Sequence, residues 1–341
     1  MNTIVMTGGT SGLGAVAVRH ISAAPQTRLL LGARNAPPDG VESVPLDLAS
    51  LEAVRSFAAT VIDRLDGAAI DTLVLNAGTL RPDADGRTTD GYETTFTVNH
   101  LAQYLLLRLL LDHLRRGAVV VATTSGTHDP TEGAGLPLPR HADPYLLAHP
   151  EHEPEQFRGA EPDGPAVAGR RAYTASKLCT VLTVRALKVL PQLRSRDLVG
   201  VAYCPGQTPG TGLAREMPRA MRTAWRVLGR PVGVLVPRLN TPAAAGRALA
   251  DLALGDVRPP AEEYYAALRR GHLVWKAPSE LARRDDVVRA LWDGSAELAG
   301  LATAPGSADG TERSGQGTRP AGQDPSGSTT DRSPGRPTRR S

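Results

Sequence analysis

The order of apolar and amphipathic segments constrains the fold of this chain more than any other feature of its 341 residues. Five short and nearly continuous apolar runs occur in the first two hundred residues: Thr3–Met6, Arg28–Leu31, Thr72–Leu75, Val119–Ala122 and Leu198–Tyr203. Such runs are typical of parallel strands that are buried on both faces. Helical patterns, such as Leu51–Leu65 and Val98–Leu114, lie between them. The alternation predicts right-handed βαβ units and an α/β fold with a doubly wound parallel sheet.

Three segments depart from this alternation. Residues 129–169 are rich in Pro, His, Glu and Gly without clear periodicity, and we interpret them as an insert. Residues 210–239 contain a basic amphipathic segment, which we interpret as a lid over an apolar substrate, with peripheral contact to a membrane as the alternative. Residues 304–341 hold no large apolar side chain and are predicted to form a disordered tail. The sequence thus predicts a single domain over residues 1–303.

The pattern of strands and helices resumes after the predicted lid. Thr241 and Pro242 form a good N-cap and first helical residue for a helix that runs through Leu252. His272–Trp275 is a candidate strand, and Asp286–Leu298 is a candidate closing helix.

A glycine-rich turn follows the first predicted strand directly. Its glycines permit a tight turn and let backbone N–H groups approach a pyrophosphate at a helix N-terminus. The spacing is T-G-x-x-x-G-x-G rather than G-x-G-x-x-G. Its place between the first strand and the first helix predicts a dinucleotide-binding loop in a Rossmann-type fold. The residues predicted to contact the cofactor are Thr7, Gly8, Thr10, Ser11, Gly12, Leu13 and Gly14.

Arg34 stands twenty residues after Gly14, at the end of the second predicted strand. An acidic side chain at this place would accept hydrogen bonds from a ribose 2′-hydroxyl and would repel a 2′-phosphate. An arginine has the opposite effect, because its planar guanidinium pairs with phosphate oxygens. The sequence therefore predicts NADP as the cofactor.

Lysine is rare in this chain, and its placement is informative. The chain has 39 Lys plus Arg, but only Lys177, Lys188 and Lys276 are lysines. Tyr173 and Lys177 are four residues apart, which puts both side chains on one face of a helix. A nearby ammonium favours the phenolate, so Lys177 is predicted to lower the pKa of Tyr173. The wide guanidinium of an arginine fits poorly where a compact donor must also reach sugar hydroxyls.

These motifs, in this order, resemble the short-chain dehydrogenase/reductase family over residues 2 to about 302. Thr7–Gly14 is similar to the family's cofactor loop. Further matches are the adenine-contacting pair Asp47 and Leu48, the N-A-G element Asn76, Ala77 and Gly78, and the nicotinamide-lining pair Pro205 and Gly206. The catalytic set of the family is matched by Asn99, Ser125, Tyr173 and Lys177.

The resemblance implies a hydride transfer between NADPH and a carbonyl or alcohol. It implies Tyr173 as general acid, Ser125 as the group that holds the carbonyl oxygen, and Lys177 as a partner of both Tyr173 and the nicotinamide ribose. Asn99 is implied to position a water that links Lys177 to solvent. Thr124 is an alternative to Ser125, because the segment reads Ala122-Thr123-Thr124-Ser125-Gly126 where the family usually has paired serines.

Three longer segments resemble the retinol dehydrogenase and protochlorophyllide reductase branch of the family. They are Asp90–Leu106, Tyr173–Leu182 and Pro205–Arg215. The branch implies an NADP-dependent enzyme, in the first instance a ketoreductase for a bulky apolar small molecule. Reduction of a carbon–carbon double bond is one alternative, and a non-catalytic dinucleotide sensor is another. Tyr173 and Lys177 oppose the sensor, which has no need of a proton donor.

Several other classes of protein and site are disfavoured. The formal charge of +4 is spread over scattered arginines, which gives little reason to expect nucleic acid as a partner. Two cysteines, an N-terminus without signal-peptide features and the absence of a long apolar run together predict a cytoplasmic protein. No metal is expected, since no ligand motif matches the spacing of His128, His141, His149 and His152.

The 47 residues between Ser125 and Tyr173 bear on assembly. In many members of the family the tyrosine helix packs against its counterpart in another subunit, and simpler members have a far shorter gap. The insert is predicted to cover that helix face, with inward-pointing side chains from Leu136, Leu138, Tyr145 and Leu146. We therefore expect a monomer.

Overall fold

A single mixed sheet organises the chain in this computed structural model, which describes residues 1–34, 40–157, 163–209 and 239–302. All of these lie in the unit Met1–Ala304, whereas the unit Pro305–Ser341 lies outside the described residues. The predicted tail and residues 210–238 of the predicted lid therefore also lie outside them. Among the described helices, none has both the length and the apolarity needed to cross a membrane.

The sheet has eight strands. They are β1 Asn2–Thr7, β2 Thr27–Ala33, β3 Glu42–Pro45, β4 Ile70–Leu75, β5 Leu114–Thr123, β6 Val199–Cys204, β7 Tyr265–Arg269 and β8 His272–Trp275. Their order across the sheet is β3-β2-β1-β4-β5-β6-β7-β8, and every pair is parallel except β7 with β8. The chain runs outward from β1 in one direction to β3 and in the other to β8. The predicted doubly wound α/β fold is confirmed.

Helices cover both faces of the sheet. The longer ones are α1 Gly12–Ala23, α2 Leu51–Leu65, α3 Ala102–Leu110, α4 Pro144–Ala148, α5 Pro165–Val189, α6 Pro242–Leu254 and α7 Asp285–Leu298. One apolar layer contains buried residues of α2, α3, α5 and α7, and the other contains those of α1 and α6. In the second layer a Cβ on Gly246 would lie 2.4 Å from that of Val16, so this glycine allows α1 and α6 to approach closely.

Local signals position the helix ends. The Thr241 hydroxyl accepts a hydrogen bond from Ala244 N at 3.0 Å and caps α6. That helix ends before Gly255, whose φ of +80° suits a residue without a Cβ. The predicted N-cap, strand β8 and closing helix are confirmed.

The helix predicted over Val98–Leu114 differs from the prediction at both ends. Helical structure starts earlier, at Thr94, and passes through a π-helical turn over Thr97–Leu101 before α3. Leu114 is already in β5, where it pairs with Ile70. The sequence also missed β3 and β7. The first is only four residues long and the second reads YAALR, which favours a helix as much as a strand.

The insert has local structure, and its boundary differs from the prediction. The tyrosine helix α5 begins at Pro165, so the last residues of the predicted insert belong to it. Short α4 packs against α7, where a Cβ on Gly294 would lie 2.6 Å from Pro144 Cγ. Leu138 and Tyr145 are 43% and 50% exposed, so the expectation that they point inward is wrong.

The middle of α5 is buried on every side. Its residues from position 173 to 184 are all buried, a stretch of more than three helical turns. Helix α7 contributes to this cover, because Arg185 forms an ion pair with Asp285 at the start of α7. The same helix also packs on α3, where the Tyr104 hydroxyl donates to Trp292 O at 2.7 Å.

Candidate active site

The carboxyl ends of the central strands meet at one edge of the sheet. Thr7 at the end of β1 pairs with Leu75 at the end of β4, and Leu75 pairs with Ala122 of β5. Thr123 in turn pairs with Tyr203 of β6. The predicted site residues that follow these strands are therefore brought to the same edge, where ligands of open α/β sheets bind.

The glycine loop after β1 lies in backbone contact with the segment after β4. A Cβ on Gly8, whose φ is +72°, would lie 2.5 Å from Ala77 Cα. A Cβ on Gly14 would lie 2.0 Å from Gly8 O. No side chain fits at either position, so both glycines are required by the close approach of the backbone.

A hydrogen-bond network fixes this loop to the sheet. Thr7 Oγ1 accepts from Asn76 N at 3.1 Å and from Ala77 N at 3.2 Å, and it donates to Gln103 Oε1 at 3.2 Å. Asn76 Nδ2 donates to Gly8 O at 2.8 Å, while its Oδ1 accepts from Thr123 Oγ1 at 2.9 Å. Asn76 thus joins β1, β4 and β5. Gln103 was not predicted, and no sequence signal marks it.

The N-terminus of α1 suits a phosphate group. Ser11 is its N-cap but makes no side-chain capping hydrogen bond, and the first turn has no acidic residue. Gly12 has a φ of +58°, and Thr10 is exposed beside it. Backbone N–H groups at a helix N-terminus that no side chain caps form a site for an anion. The cradle therefore fits the pyrophosphate of a dinucleotide.

Three predicted cofactor contacts lie farther along the same edge. Arg34 follows β2 directly and is exposed, and it makes no hydrogen bond or ion pair with the described part of the chain. Ala33 pairs with Pro45 at the end of β3, so Arg34 lies near the residues that follow β3. Of these, Asp47 is exposed and Leu48 is buried.

Tyr173 and Lys177 lie in the buried part of α5, facing the ends of β5 and β6. Tyr173 is only 5% exposed, and the side chain of Ser125 lies close enough to it to affect the pKa of the phenol. Lys177 Nζ lies 5.8 Å from the centroid of the Tyr173 ring and donates to Thr123 O at 3.0 Å. The structure thus brings the predicted tyrosine, lysine and serine together.

Ser125, rather than Thr124, is the hydroxyl beside the tyrosine. Thr124 is buried, and its Oγ1 donates to Lys177 O at 2.7 Å, so this hydroxyl is committed to the backbone of α5. Ser125 is half-buried and caps a short 3₁₀ turn over Gly126–His128.

Asn99 lies in the π-helical turn before α3 and holds the segment after Gly78. Its Oδ1 accepts from Thr79 N at 2.7 Å, and its Nδ2 donates to Thr79 O and to Ser176 Oγ, both at 2.9 Å. A Cβ on Gly78 would lie 3.3 Å from both Asn99 Oδ1 and Lys177 Nζ. Gly78 therefore leaves room between the amide and the ammonium.

The pKa values of the two central groups are governed by burial. Desolvation raises the pKa of Tyr173 to about 12, although the side chain of Ser125 acts in the opposite direction. Desolvation also lowers the pKa of Lys177 to about 8. The prediction that Lys177 lowers the pKa of Tyr173 is therefore wrong for the protein alone. Tyr173 is a neutral phenol at physiological pH, which is the form that donates a proton.

An ion-pair cluster that the sequence did not predict supports the serine. His128 Nδ1 lies 2.8 Å from Ser125 O, and this contact makes Nδ1 the donor. Four residues on, Glu132 accepts from Lys276 Nζ at 2.6 Å and also pairs with Arg269. The loop that carries Ser125 is thereby fixed to β7 and to the residue after β8. Lysine is rare in this chain, and this rarity is the sequence feature that could have drawn attention to Lys276.

Pro205 and Gly206 turn away from the end of β6 against a buried asparagine. Asn240 Nδ2 donates to Pro205 O at 3.0 Å and to Leu268 O at 2.9 Å. A Cβ on Gly206, whose φ is +69°, would lie 2.6 Å from Asn240 Nδ2. The turn that begins the predicted lid is thus held in place from β7.

Comparisons with known proteins agree with this geometry. The model of the short chain dehydrogenase family matches residues 2–134, from β1 to just beyond Ser125. Protochlorophyllide reductase A from Oryza sativa subsp. japonica is 29% identical over an alignment of 327 residues, which covers 87% of this chain and 80% of the relative. Protochlorophyllide reductase from Chlamydomonas reinhardtii is 28% identical and covers 88% of this chain and 78% of the relative.

Solved structures share the fold. The crystal structure of an uncharacterised protein from Mycobacterium Paratuberculosis superposes with a TM-score of 0.59. It is 23% identical and covers 88% of this chain and 94% of that chain. The likeness extends beyond the residues that the family model matches, and it supports the doubly wound sheet across the described part of the chain.

Proposed function

Because the chain belongs to the short-chain dehydrogenase/reductase family and resembles its protochlorophyllide reductase branch, we propose that it is an NADPH-dependent reductase of a carbonyl group on a bulky apolar small molecule. The observation that carries this proposal is the buried Tyr173, with Lys177 Nζ 5.8 Å from its ring centroid and Ser125 beside it, at the sheet edge that also holds the glycine cradle. A neutral phenol beside a second hydroxyl is equipped to bind and protonate a carbonyl oxygen.

Residues along the sheet edge hold the cofactor. The backbone of Gly8–Gly14 and the N-terminus of α1 bind the pyrophosphate, and Arg34 pairs with the 2′-phosphate. Asp47 and Leu48 contact the adenine end, Ala77 and Gly78 lie under the central part, and Pro205 with Gly206 borders the nicotinamide. When bound, NADPH supplies the hydride that reduces the carbonyl carbon.

Four side chains of the protein serve the carbonyl oxygen and its proton. Ser125 donates a hydrogen bond to that oxygen and holds it beside Tyr173, in the manner of a preorganised donor. Tyr173 gives its phenolic proton to the developing alkoxide. Lys177 binds the ribose, and Asn99 holds the water that returns a proton from solvent.

The high pKa of Tyr173 favours reduction over oxidation. A phenol with a pKa of about 12 stays protonated across the physiological range, and it still loses its proton readily to an alkoxide, which is far more basic. The reverse oxidation requires the phenolate, which becomes more abundant as pH rises toward that pKa. Oxidation of an alcohol is therefore expected to speed up with increasing pH, whereas reduction is not.

Reduction of a carbon–carbon double bond is the second candidate function. It is favoured by the relatives, which are named protochlorophyllide reductases and align with 87–88% of this chain. Product analysis by mass spectrometry and NMR with an α,β-unsaturated ketone separates the two functions, since one yields an allylic alcohol and the other a saturated ketone.

Selectivity for NADPH tests the role of Arg34. We expect NADPH to bind about 10- to 100-fold more tightly than NADH, because a charge-assisted hydrogen bond contributes roughly 1.5–3 kcal/mol. Arg34→Asp should invert the preference, measured as dissociation constants by fluorescence titration. Arg289→Asp makes the same charge change on the exposed side of α7 and should leave the preference unchanged. Equal constants for the two cofactors in the unmodified chain would refute the role.

The protein is proposed to be a monomer. Its basis is the cover over α5, whose residues 173–184 are already buried within one chain. Light scattering at micromolar concentration is expected to give the mass of a single chain. A stable dimer or tetramer would contradict the proposal. It would mean that the subunits associate through a surface other than the covered part of α5.

The surrounding features fit the same function. The interpretation of residues 210–239 as a substrate lid and of residues 304–341 as a tail after a domain of residues 1–303 stays a prediction from the sequence. Cys179 and Cys204 are buried and free, which suits a reducing compartment such as the cytoplasm.

A further inference from the structure

Three side chains of the insert converge at its surface. His149, Glu151 and His152 each offer one ligand atom, and these atoms all lie within 4.8 Å of one another. Their spacing in the sequence matches no familiar ligand motif, which is why no metal was expected here. The backbone explains the convergence, because Pro150–His152 forms a 3₁₀ turn in which His152 N donates to His149 O at 2.9 Å. Residues three apart eclipse in such a turn.

Neighbouring side chains already hold two of the three groups. The Tyr145 hydroxyl lies 3.0 Å from His152 Nδ1, and the two rings are stacked with centroids 5.6 Å apart. Arg87 donates to Glu151 Oε2 at 2.8 Å, while the other oxygen, Oε1, lies 3.5 Å from His149 Nδ1. Hydrogen bonds of this kind orient the ligands of metal sites and are commonly found just outside them.

We propose that His149, Glu151 and His152 bind one divalent transition-metal ion of the zinc type. Two imidazoles and one carboxylate form a donor set that suits Zn²⁺, and a water completes a tetrahedron. Hard cations such as Mg²⁺ and Ca²⁺ prefer oxygen ligands alone and do not match this set. The proposal is independent of the proposed reductase activity, since these residues are separate from the proposed catalytic residues.

A bound ion would tie the insert to the segment that leads to Asn99. Ala148 O, adjacent to the first ligand, accepts from Glu93 N at 2.9 Å. The ring of Tyr92 lies edge-on to His149 with centroids 5.4 Å apart. Glu93 caps the helical turn that begins at Thr94, so the metal would stabilise the contact between the insert and this part of the domain.

Titration with zinc tests the proposal. The untagged full chain, freed of metal with a chelator, is titrated with ZnCl₂ by calorimetry. We expect one ion per chain, with at least about 10-fold weaker binding in His149→Ala and in His152→Ala. Glu151→Gln and Tyr145→Phe should weaken it several-fold. His20→Ala removes an exposed histidine of α1 and should bind zinc as the parent does.

Thermal unfolding supplies a second readout. Zinc should raise the Tm of the parent and of His20→Ala, but not of the double variant His149→Ala/His152→Ala, and MgCl₂ should raise none of them. Matching Tm values in chelator show that the variants fold. No zinc binding to the parent at millimolar concentration, or unchanged binding by the double variant, would overturn the proposal.

Discussion

Tyr173→Phe is expected to lower the turnover number about 10²- to 10⁴-fold while leaving NADPH affinity and folding intact. The change removes only the hydroxyl beside Ser125, and a phenylalanine ring fills the same buried space. Since no cofactor contact is lost, the effect falls on proton donation alone. Steady-state kinetics with any substrate found, fluorescence titration with NADPH and thermal unfolding measure the three quantities.

Tyr264→Phe is the matched control for this variant. Tyr264 is also a buried tyrosine, but its hydroxyl bonds to Arg185 near the far end of α5 rather than to a residue of the proposed site. Its loss should leave turnover close to that of the parent. Parental turnover in Tyr173→Phe would show that another group donates the proton.

Lys177→Arg is the second variant with a large expected effect, a loss of turnover of about 10²-fold or more even though the positive charge is kept. Lys177 is 4% exposed, and its Nζ donates to Thr123 O and lies 3.3 Å from the position of a Cβ on Gly78. A guanidinium has no room there without displacing the segment after β4 or the tyrosine. Its geometry also differs from that of the compact ammonium.

The measurements for Lys177→Arg are turnover and the affinity for NADPH, both of which should fall. Lys188→Arg makes the same exchange on a half-buried lysine at the end of α5, where the partner is the exposed Glu262, and should have little effect. A fully active Lys177→Arg variant would mean that position 177 needs only a positive charge.

The sheet was predictable because its signals are local. Apolar runs of four to six residues bounded by amphipathic segments gave the five central strands. The structure extends three of them by two or three residues, shifts β6 by one residue and extends β5 by six. Strands β3 and β7 were missed for the same reason. They are short, with Ser43 and Pro45 in one and helix-compatible alanines in the other, and only pairing with β2 and β6 makes them strands.

The candidate site was predictable as a set of residues but not in its electrostatics. Glycine spacing predicted the cofactor loop, and the Tyr-x-x-x-Lys pattern predicted the pair Tyr173 and Lys177. The structure brings the loop and the pair to the same sheet edge. The predicted direction of the Tyr173 pKa was wrong because desolvation depends on everything packed around the phenol, which a local sequence pattern does not show. The choice of Ser125 over Thr124 likewise needed the hydrogen bond from Thr124 to α5.

Contacts made over long sequence distances were beyond prediction. Glu132 meets Lys276 and Arg269, which are more than 130 residues away, and nothing in the local pattern pairs them. Asn240 reaches Pro205 in the same way. The histidines of the insert were judged by spacing alone, whereas their convergence depends on a turn of the backbone and on Tyr145.

The central claim, NADPH-dependent reduction of a carbonyl, is tested most directly by NADPH oxidation with the purified full chain against bulky apolar ketones, aldehydes and enones. We expect at least one ketone or aldehyde to be reduced to its alcohol, with slower reaction from NADH and almost none in Tyr173→Phe. Saturated ketone as the only product from enones would assign the double-bond reaction instead. NADPH binding without oxidation by any compound above the rate of Tyr173→Phe would contradict the claim and indicate a dinucleotide sensor.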